Sequence, residues 1–343
     1  MAFEIIQFPS TGRFPAVLLT TTDFPKVRMR FLEQWFRQNK RVLTFLGCAN
    51  GLGGRALGAE MAAATIRDSS ILKRSRFPHH WENIICESAE ADKRQLAALP
   101  HIRVYIKELA KCAKRVIMDK KDLCVIGGDH SVAMGTWSGV SAALAAMGRG
   151  RLGLVWIDAH LDAHTPQSSE TGNVHGMPVA HLLGYGDLQL AGLFDKIPKI
   201  QPENLAMVGI RSFERPEEKL LKDLNVRIFY MDEVKERGIS AVLKEAVAIA
   251  RNGTAGFGMS IDLDGFDPVA APAVGTPEPD GLDPDEFLNA LHELDFSRLV
   301  ATELAEFSPE RDTPDRRTER LCIDLLRNIY TSKWHDLRNK LNS

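Results

Sequence analysis

What is scarce in this sequence narrows it first. Five cysteines, Cys48, Cys86, Cys112, Cys124 and Cys322, stand far apart in 343 residues. Their number is odd and none has the spacing of a metal clip or redox motif, so the reading is reduced thiols in a cytoplasmic protein, not a disulfide framework. Charge of one sign is also lacking. Lys and Arg number 43 and Asp and Glu 45, a formal net charge of −2. That leaves no electrostatic case for nucleic acid or an anionic membrane as a partner. No apolar run approaches the ~18 residues of a membrane span. The first residues carry Glu4 and no basic segment ahead of an apolar core, so no secretory signal is expected. Gly51-Leu52-Gly53-Gly54 and Gly58 are followed by no Lys-Ser/Thr and form no Gly-x-Gly-x-x-Gly. This argues against a phosphate cradle and for a flexible loop near the mouth of a site.

What is present is an ordinary globular composition, 44% apolar and 26% charged, in a chain long enough for a large core. Short apolar runs read as strands: Val42 to Gly47, Leu123 to Ile126, Leu152 to Ile157, Leu205 to Ile210, Val226 to Met231, one near 256, and Leu299 to Leu304. Between them fall helical stretches at Glu60 to Asp68, Arg103 to Met118, Ser131 to Met147 and Ala241 to Ala250, and others opening at Pro178 and Pro216. Lys73 to His80, polar and holding Pro78, is expected to be a loop. Near the start, residues 17–19 suit a short strand and Arg28 to Arg41 a helix carrying Phe31, Trp35 and Phe36. The alternation predicts an α/β fold, a mainly parallel sheet of about eight strands with helices on both faces, in a single domain over 1–343.

Three of the strand ends carry chemistry. Leu152 to Ile157 runs into Asp158-Ala159-His160-Leu161-Asp162. Phe257 to Ile261 runs into Asp262-Leu263-Asp264-Gly265-Phe266-Asp267-Pro268. Leu123 to Ile126 runs into Gly127-Gly128-Asp129-His130-Ser131. Alternation puts 158, 160 and 162 on one side, and likewise 262 and 264. A lone polar loop of this kind can simply cap helices. In parallel sheets, however, ligands bind outside the carboxyl ends of the strands, so three such ends can bring His130, Asp158, His160, Asp162, Asp262 and Asp264 together. Four carboxylates that close repel one another unless multivalent cations lie between them. Two imidazoles and four carboxylates suit two divalent ions, Mn²⁺ in preference to a metal that favours thiolates.

With these motifs in hand, the sequence resembles the ureohydrolase family of arginase, agmatinase and formimidoylglutamase. The resemblance rests on Gly-Gly-Asp-His-Ser at 127–131, Asp-Ala-His-x-Asp at 158–162 and Ser-Ile-Asp-Leu-Asp-Gly-Phe-Asp-Pro at 260–268, and covers roughly residues 42 to 310. It implies one Mn²⁺ held by His130, Asp158, Asp162 and Asp262, and another by Asp158, His160, Asp262 and Asp264. A water bridging such a pair is poised as hydroxide near neutral pH. Asp162 would accept a hydrogen bond from it, His175 would carry a proton to the leaving amine, and Glu306 would receive the substrate guanidinium.

The loop after Asp162, Thr171-Gly172-Asn173-x-His175-Gly176-x-Pro178, resembles the arginase form. By that resemblance His164, Thr171 and Asn173 face the α-carboxylate of L-arginine, and Glu214 and Glu217 its α-ammonium. His164 stands where animal arginases have asparagine, and Glu214 where they have aspartate. The implied reaction is hydrolysis of L-arginine to L-ornithine and urea by a cytoplasmic homo-oligomer, a trimer or hexamer. The alternatives are another guanidino substrate, agmatine or a guanidino acid, and an inactive metal-binding homologue.

Overall fold

The structure, a computed structural model, describes residues 41–86, 93–195 and 198–342. The strand expected at 17–19 and the helix expected from Arg28, with Phe31, Trp35 and Phe36, lie outside the described residues.

Eight strands form one sheet: β1 (Leu43–Ala49), β2 (His79–Cys86), β3 (Asp122–Ile126), β4 (Leu152–Ile157), β5 (Ile200–Ile210), β6 (Arg227–Tyr230), β7 (Gly256–Asp262) and β8 (Leu299–Ala305). Their order across the sheet is β2-β1-β3-β8-β7-β4-β5-β6, and every neighbouring pair is parallel. The principal helices are α1 (Leu99–Met118), α2 (Ala133–Ala146), α3 (Arg215–Asp223), α4 (Ile239–Arg251), α5 (Pro284–Leu291) and α6 (Arg317–Asn342).

Alternation along the strands divides the core in two. Val155 and Ile157 of β4 pack with Phe257, Met259 and Ile261 of β7 against Val242, Leu243 and Ala246 of α4 and Phe287 of α5. Leu152, Leu154 and Trp156 of β4 point the other way, into a cluster with Ile106 and Leu109 of α1 and Trp137 and Val140 of α2. Burial on both faces is why these strands read as continuous apolar runs. On the α2 side of β7 the alternate positions are small. A Cβ at Gly258 would lie 2.1 Å from the Trp137 ring, so the indole lies on backbone there.

Two expectations need correction. Lys73 to His80 is not one loop: Ser69 accepts the Ile71 and Leu72 N–H groups at 3.1 Å, which starts a helix over Ser70–Ser75, and β2 begins at His79. Such side-chain capping is favourable enough to extend order into a polar stretch. The sequence reading also had no strand at β2. It is an edge strand with no fully buried residue, so its polar residues face outward and leave no apolar run to read. Trp81 packs on Phe45, ring centroids 4.9 Å apart. Helix α2 is enclosed all round, with every residue from Ala133 to Leu144 buried.

Candidate active site

The four strands at the centre of the sheet, β3, β8, β7 and β4, all end at one edge. His130 opens the turn after β3, Asp158 to Asp162 follow β4, Asp262 closes β7 with Asp264 just beyond, and Glu306 follows β8. The chain reaches β4 from β3 only by crossing over the positions later filled by β7 and β8. A crevice at such a switch point is where parallel sheets bind ligands.

Ligand atoms gather there in two groups. In the first, Nδ1 of His130 lies 3.2 Å from Asp158 Oδ2, 3.1 Å from Asp162 Oδ2 and 2.8 Å from Asp262 Oδ2. In the second, Nδ1 of His160 lies 3.5 Å from Asp158 Oδ1 and 3.2 Å from Asp264 Oδ2. Asp158 therefore belongs to both groups, through different oxygens. Asp262 belongs to the first, and its Oδ1 accepts the Asp264 N–H at 2.9 Å.

These residues fit divalent cations, on two observations. His130 Nδ1 is buried with no hydrogen-bond partner although three carboxylates converge on it. A buried polar atom left so is costly, and its natural partner is a cation. The carboxylates are also frustrated among themselves. Burial, with the charges of Asp264 and Asp158, holds Asp262 well above the usual carboxylate range. Burial and the Asp158 charge push Asp162 up to about 6. Burial opposes ionisation of Asp158 too, but the adjoining imidazoles of His130 and His160 lower it. Cations between these groups relieve the repulsion.

Further residues hold the ligands, and the sequence reading gave them no role. His130 Nε2 lies 3.1 Å from Ser260 Oγ, and that hydroxyl donates to Glu303 Oε1 at 2.8 Å. With Nδ1 turned to the carboxylates, Nε2 carries the proton, so Ser260 and Glu303 fix the tautomer that leaves Nδ1 free. Trp156 stacks on His130, with centroids 4.2 Å apart, and donates its indole N–H to Asp158 Oδ2 at 2.8 Å. Thr276 Oγ1 donates to Asp264 Oδ2 at 2.9 Å. A signal existed for Glu303 alone: an acid in the apolar run Leu299 to Ala305.

His175 and Glu306 lie together beside this cluster. Glu306 Oε1 accepts from His175 Nδ1 at 2.9 Å and from the His130 N–H at 2.8 Å. Burial works against a charged His175, yet the Glu306 charge and hydrogen bond push its pKa up to about 9. Burial works against ionised Glu306, and the His175 charge lowers it. Glu306 at φ 64° and Asp162 at φ 48° occupy the left-handed region. Non-glycine residues hold it only where the surroundings impose it, often at working sites.

The glycine loop lies where expected, beside the site, but it is held. Gly53 N donates to Asp129 Oδ2 at 2.7 Å, and Gly53 O accepts from Val174 N at 2.7 Å. Arg94 donates to the carbonyls of Gly54 and Ala56, both at 3.1 Å. Gly54 lies against the His175 ring.

The remaining expected residues fall into two clusters. His164 Nε2 lies 2.9 Å from Glu214 Oε2 and 3.3 Å from Glu217 Oε2, and its Nδ1 meets Ser168 Oγ at 3.0 Å. Glu214 and Glu217 also form the capping box of α3. Burial and the adjoining Glu214 push Glu217 up to about 9. Thr171 and Asn173 lie apart from these, on Gln95, whose Nε2 donates to Thr171 O at 2.9 Å and Asn173 Oδ1 at 2.7 Å.

An open-edged α/β sheet with two overlapping Asp/His groups at its central strand ends marks a protein built to hold two metal ions. Known proteins say which kind. The family model described as the arginase family matches residues 43–331. The arginase of Bacillus caldovelox is 31% identical over 303 residues, which is 85% of this chain and 98% of that one. Its native structure gives a TM-score of 0.76 over 84% of this chain and 98% of that chain. The crystal structure of Bacillus subtilis arginase, 30% identical, gives 0.75 over the same shares. The chain belongs to the arginase family, and it is a binuclear-metal hydrolase of a guanidino carbon–nitrogen bond.

Proposed function

We propose that this protein hydrolyses L-arginine to L-ornithine and urea with two Mn²⁺ ions. The observation that carries the reading is the His175–Glu306 pair, 2.9 Å apart, set against the two metal groups at the ends of β3, β4 and β7. The first ion would be held by His130, Asp158, Asp162 and Asp262, the second by Asp158, His160, Asp262 and Asp264. Oxygen-rich ligation with imidazole and no thiolate supports Mn²⁺. When bound, such ions supply a water of lowered pKa and positive charge to offset that developing during attack.

The protein's own residues do the rest. Glu306 Oε1 is taken by His175 and the His130 N–H, which leaves Oε2 to receive a guanidinium N–H and hold its carbon over the metal groups. Asp162 accepts a hydrogen bond from the attacking water and takes its proton. As the bond from the guanidinium carbon to the δ-nitrogen breaks, His175 delivers a proton to that nitrogen, which leaves as ornithine's amine. The Glu306 carboxylate beside it favours its protonated form. His164, Thr171 and Asn173 receive the α-carboxylate, and Glu214 and Glu217 the α-ammonium.

One observation favours a second substrate. His164 is already paired with Glu214, and Asn173 with Gln95, so a guanidino compound without a carboxylate, such as agmatine, would strand neither. Urea release with Mn²⁺ across L-arginine, agmatine and 4-guanidinobutyrate decides. L-Arginine should lead in kcat/KM by a factor on the order of 10² or more, because a site shaped for polar groups discriminates strongly against their absence. Comparable values for agmatine would refute the arginine reading. No urea from any of the three, with two ions bound, would leave a metal-binding homologue. The same reading treats residues 1–343 as one domain and carries a cytoplasmic trimer or hexamer, which the mass in solution tests.

A further inference from the structure

The segment Thr276-Pro277-Glu278-Pro279 runs past the second metal group. Thr276 and Glu278 each precede a proline, which biases their backbone toward extended geometry. Side chains two apart on an extended chain share a side. Here both address the same metal group: Thr276 Oγ1 donates to Asp264 Oδ2 at 2.9 Å, and Glu278 Oε1 lies 3.7 Å from His160 Nε2. The segment is tied down. Arg211 donates to Glu278 O at 2.8 Å and to Pro279 O at 2.9 Å. The carboxylate itself is also held, since Ser212 Oγ donates to Glu278 Oε1 at 3.1 Å.

His160 presents Nδ1 to Asp158 and Asp264, so Nε2 is its outer nitrogen, the one facing Glu278. The same relation recurs at His130, where Nε2 meets Ser260 and, through it, the carboxylate of Glu303. Each metal-facing histidine thus has a serine and an acid on its far side. They differ in two respects. Ser260 lies between His130 and Glu303, whereas Glu278 faces His160 directly with Ser212 behind it. Glu303 is also fully buried, whereas the Glu278 side chain is 33% exposed.

We propose that Glu278 is a positioning residue for the second metal group: acting through Nε2 of His160, it fixes the ring tautomer that offers Nδ1 to the cation and strengthens that site. At 3.7 Å the attraction is one of charge, between the carboxylate and an imidazole N–H that becomes more positive when the opposite nitrogen binds a cation. Outer carboxylates of this kind change metal affinity by roughly 10- to 100-fold. Solvent exposure places Glu278 at the lower end, about 10-fold. The inference rests on His160 belonging to a metal group, not on the identity of the substrate.

Titrating the metal-free protein with Mn²⁺, followed by calorimetry and by the electron paramagnetic resonance of free Mn²⁺, resolves the two binding steps. In Glu278→Gln the first ion should bind as in the wild type and the second about 10-fold more weakly. Ser212→Ala should weaken the second step alone, by less. A general structural defect would weaken both steps together, and that outcome, or an unchanged second step in Glu278→Gln, overturns the proposal. The wild-type titration separates it from the reading above. A wild type that takes up only one ion removes the second group and this inference with it. A wild type that binds two ions but releases no urea from L-arginine overturns the substrate reading, and the role of Glu278 is still decided by the variant.

Discussion

His175 is a part-buried imidazole whose ionisation is set by burial and chiefly by Glu306, with Asp129 and Asp162 adding to it. Burial alone would lower its pKa; Glu306 at 2.9 Å raises it to about 9. In the metal-free protein, NMR titration should find His175 changing charge near pH 9, and Glu306→Gln should return it to 6.5 or below. A titration unmoved by Glu306→Gln would show that another group sets it. The sign for stability follows. A histidine with a raised folded pKa stabilises the fold fully below its unfolded pKa of ~6.5, and that contribution fades as pH rises through about 9. The proton-delivery role makes a separate prediction. His175→Asn should keep its metals while kcat falls by roughly 10²–10⁴, the usual contribution of general acid–base catalysis. Near-normal kcat with a raised KM would make His175 a binding residue. Among the described ligands, Asp158 reaches both groups as they stand, through different oxygens, while Asp262 would join the second only in the proposed ligand set. Asp158→Ala should therefore lose both ions, and His130→Ala mainly the first, by metal analysis. Two Mn²⁺ retained in Asp158→Ala would end the bridging assignment.

Between elements, close backbone approach joins the strand ends. A Cβ at Gly128, in the turn after β3, would fall 1.6 Å from the Asn50 carbonyl oxygen beyond β1. The same oxygen accepts the Asp129 N–H at 2.9 Å. Gly128→Ala must push these turns apart and disturb the glycine loop against His175. We expect about 1–3 kcal/mol of lost stability, as for other overpacked interiors, and lower activity in the surviving folded protein. Denaturant unfolding with a midpoint like the wild type's would contradict this. Element legibility followed burial. Strands β3, β4 and β7, apolar on both faces, could be read from composition, whereas β2, a polar edge strand seated on Phe45 by Trp81, could not. Its side chains have no internal pattern, and only pairing with β1 makes it a strand.

The molecule as a whole pays for its site with a core that holds more acid than it can comfortably ionise. Asp158, Asp162, Asp262, Asp264, Glu303 and Glu306 are all buried at or beside the central strand ends. Metal binding should therefore stabilise the fold. Free Mn²⁺ at a thousandfold excess over the dissociation constant contributes ~4 kcal/mol per site. Scanning calorimetry should show Tm rising with Mn²⁺ and falling again with a chelator. A Tm indifferent to Mn²⁺ would mean that the acids are accommodated without it. No helix among the described residues is long and apolar enough to cross a membrane.

The sequence by itself determined the site's first layer, because its signals are local. A run apolar on both faces marks a buried strand, period-two alternation puts Asp158, His160 and Asp162 on one side, and acids just past a strand end lie at the sheet edge. Hence the six clustered His and Asp residues could be named from strand-end motifs, and His175 and Glu306 from the family resemblance. Only the tertiary structure decided what holds them. That β8 and β7 lie between β3 and β4 is a matter of non-local pairing, and this order sets Ser260 and Glu303 behind His130. It also brings Thr276 and Glu278 to Asp264 and His160 and joins His164 to Glu214, fifty residues away, while leaving Thr171 and Asn173 on Gln95. Which nitrogen of an imidazole faces a cation depends on the partner of the other nitrogen, and that partner comes from a different strand or loop.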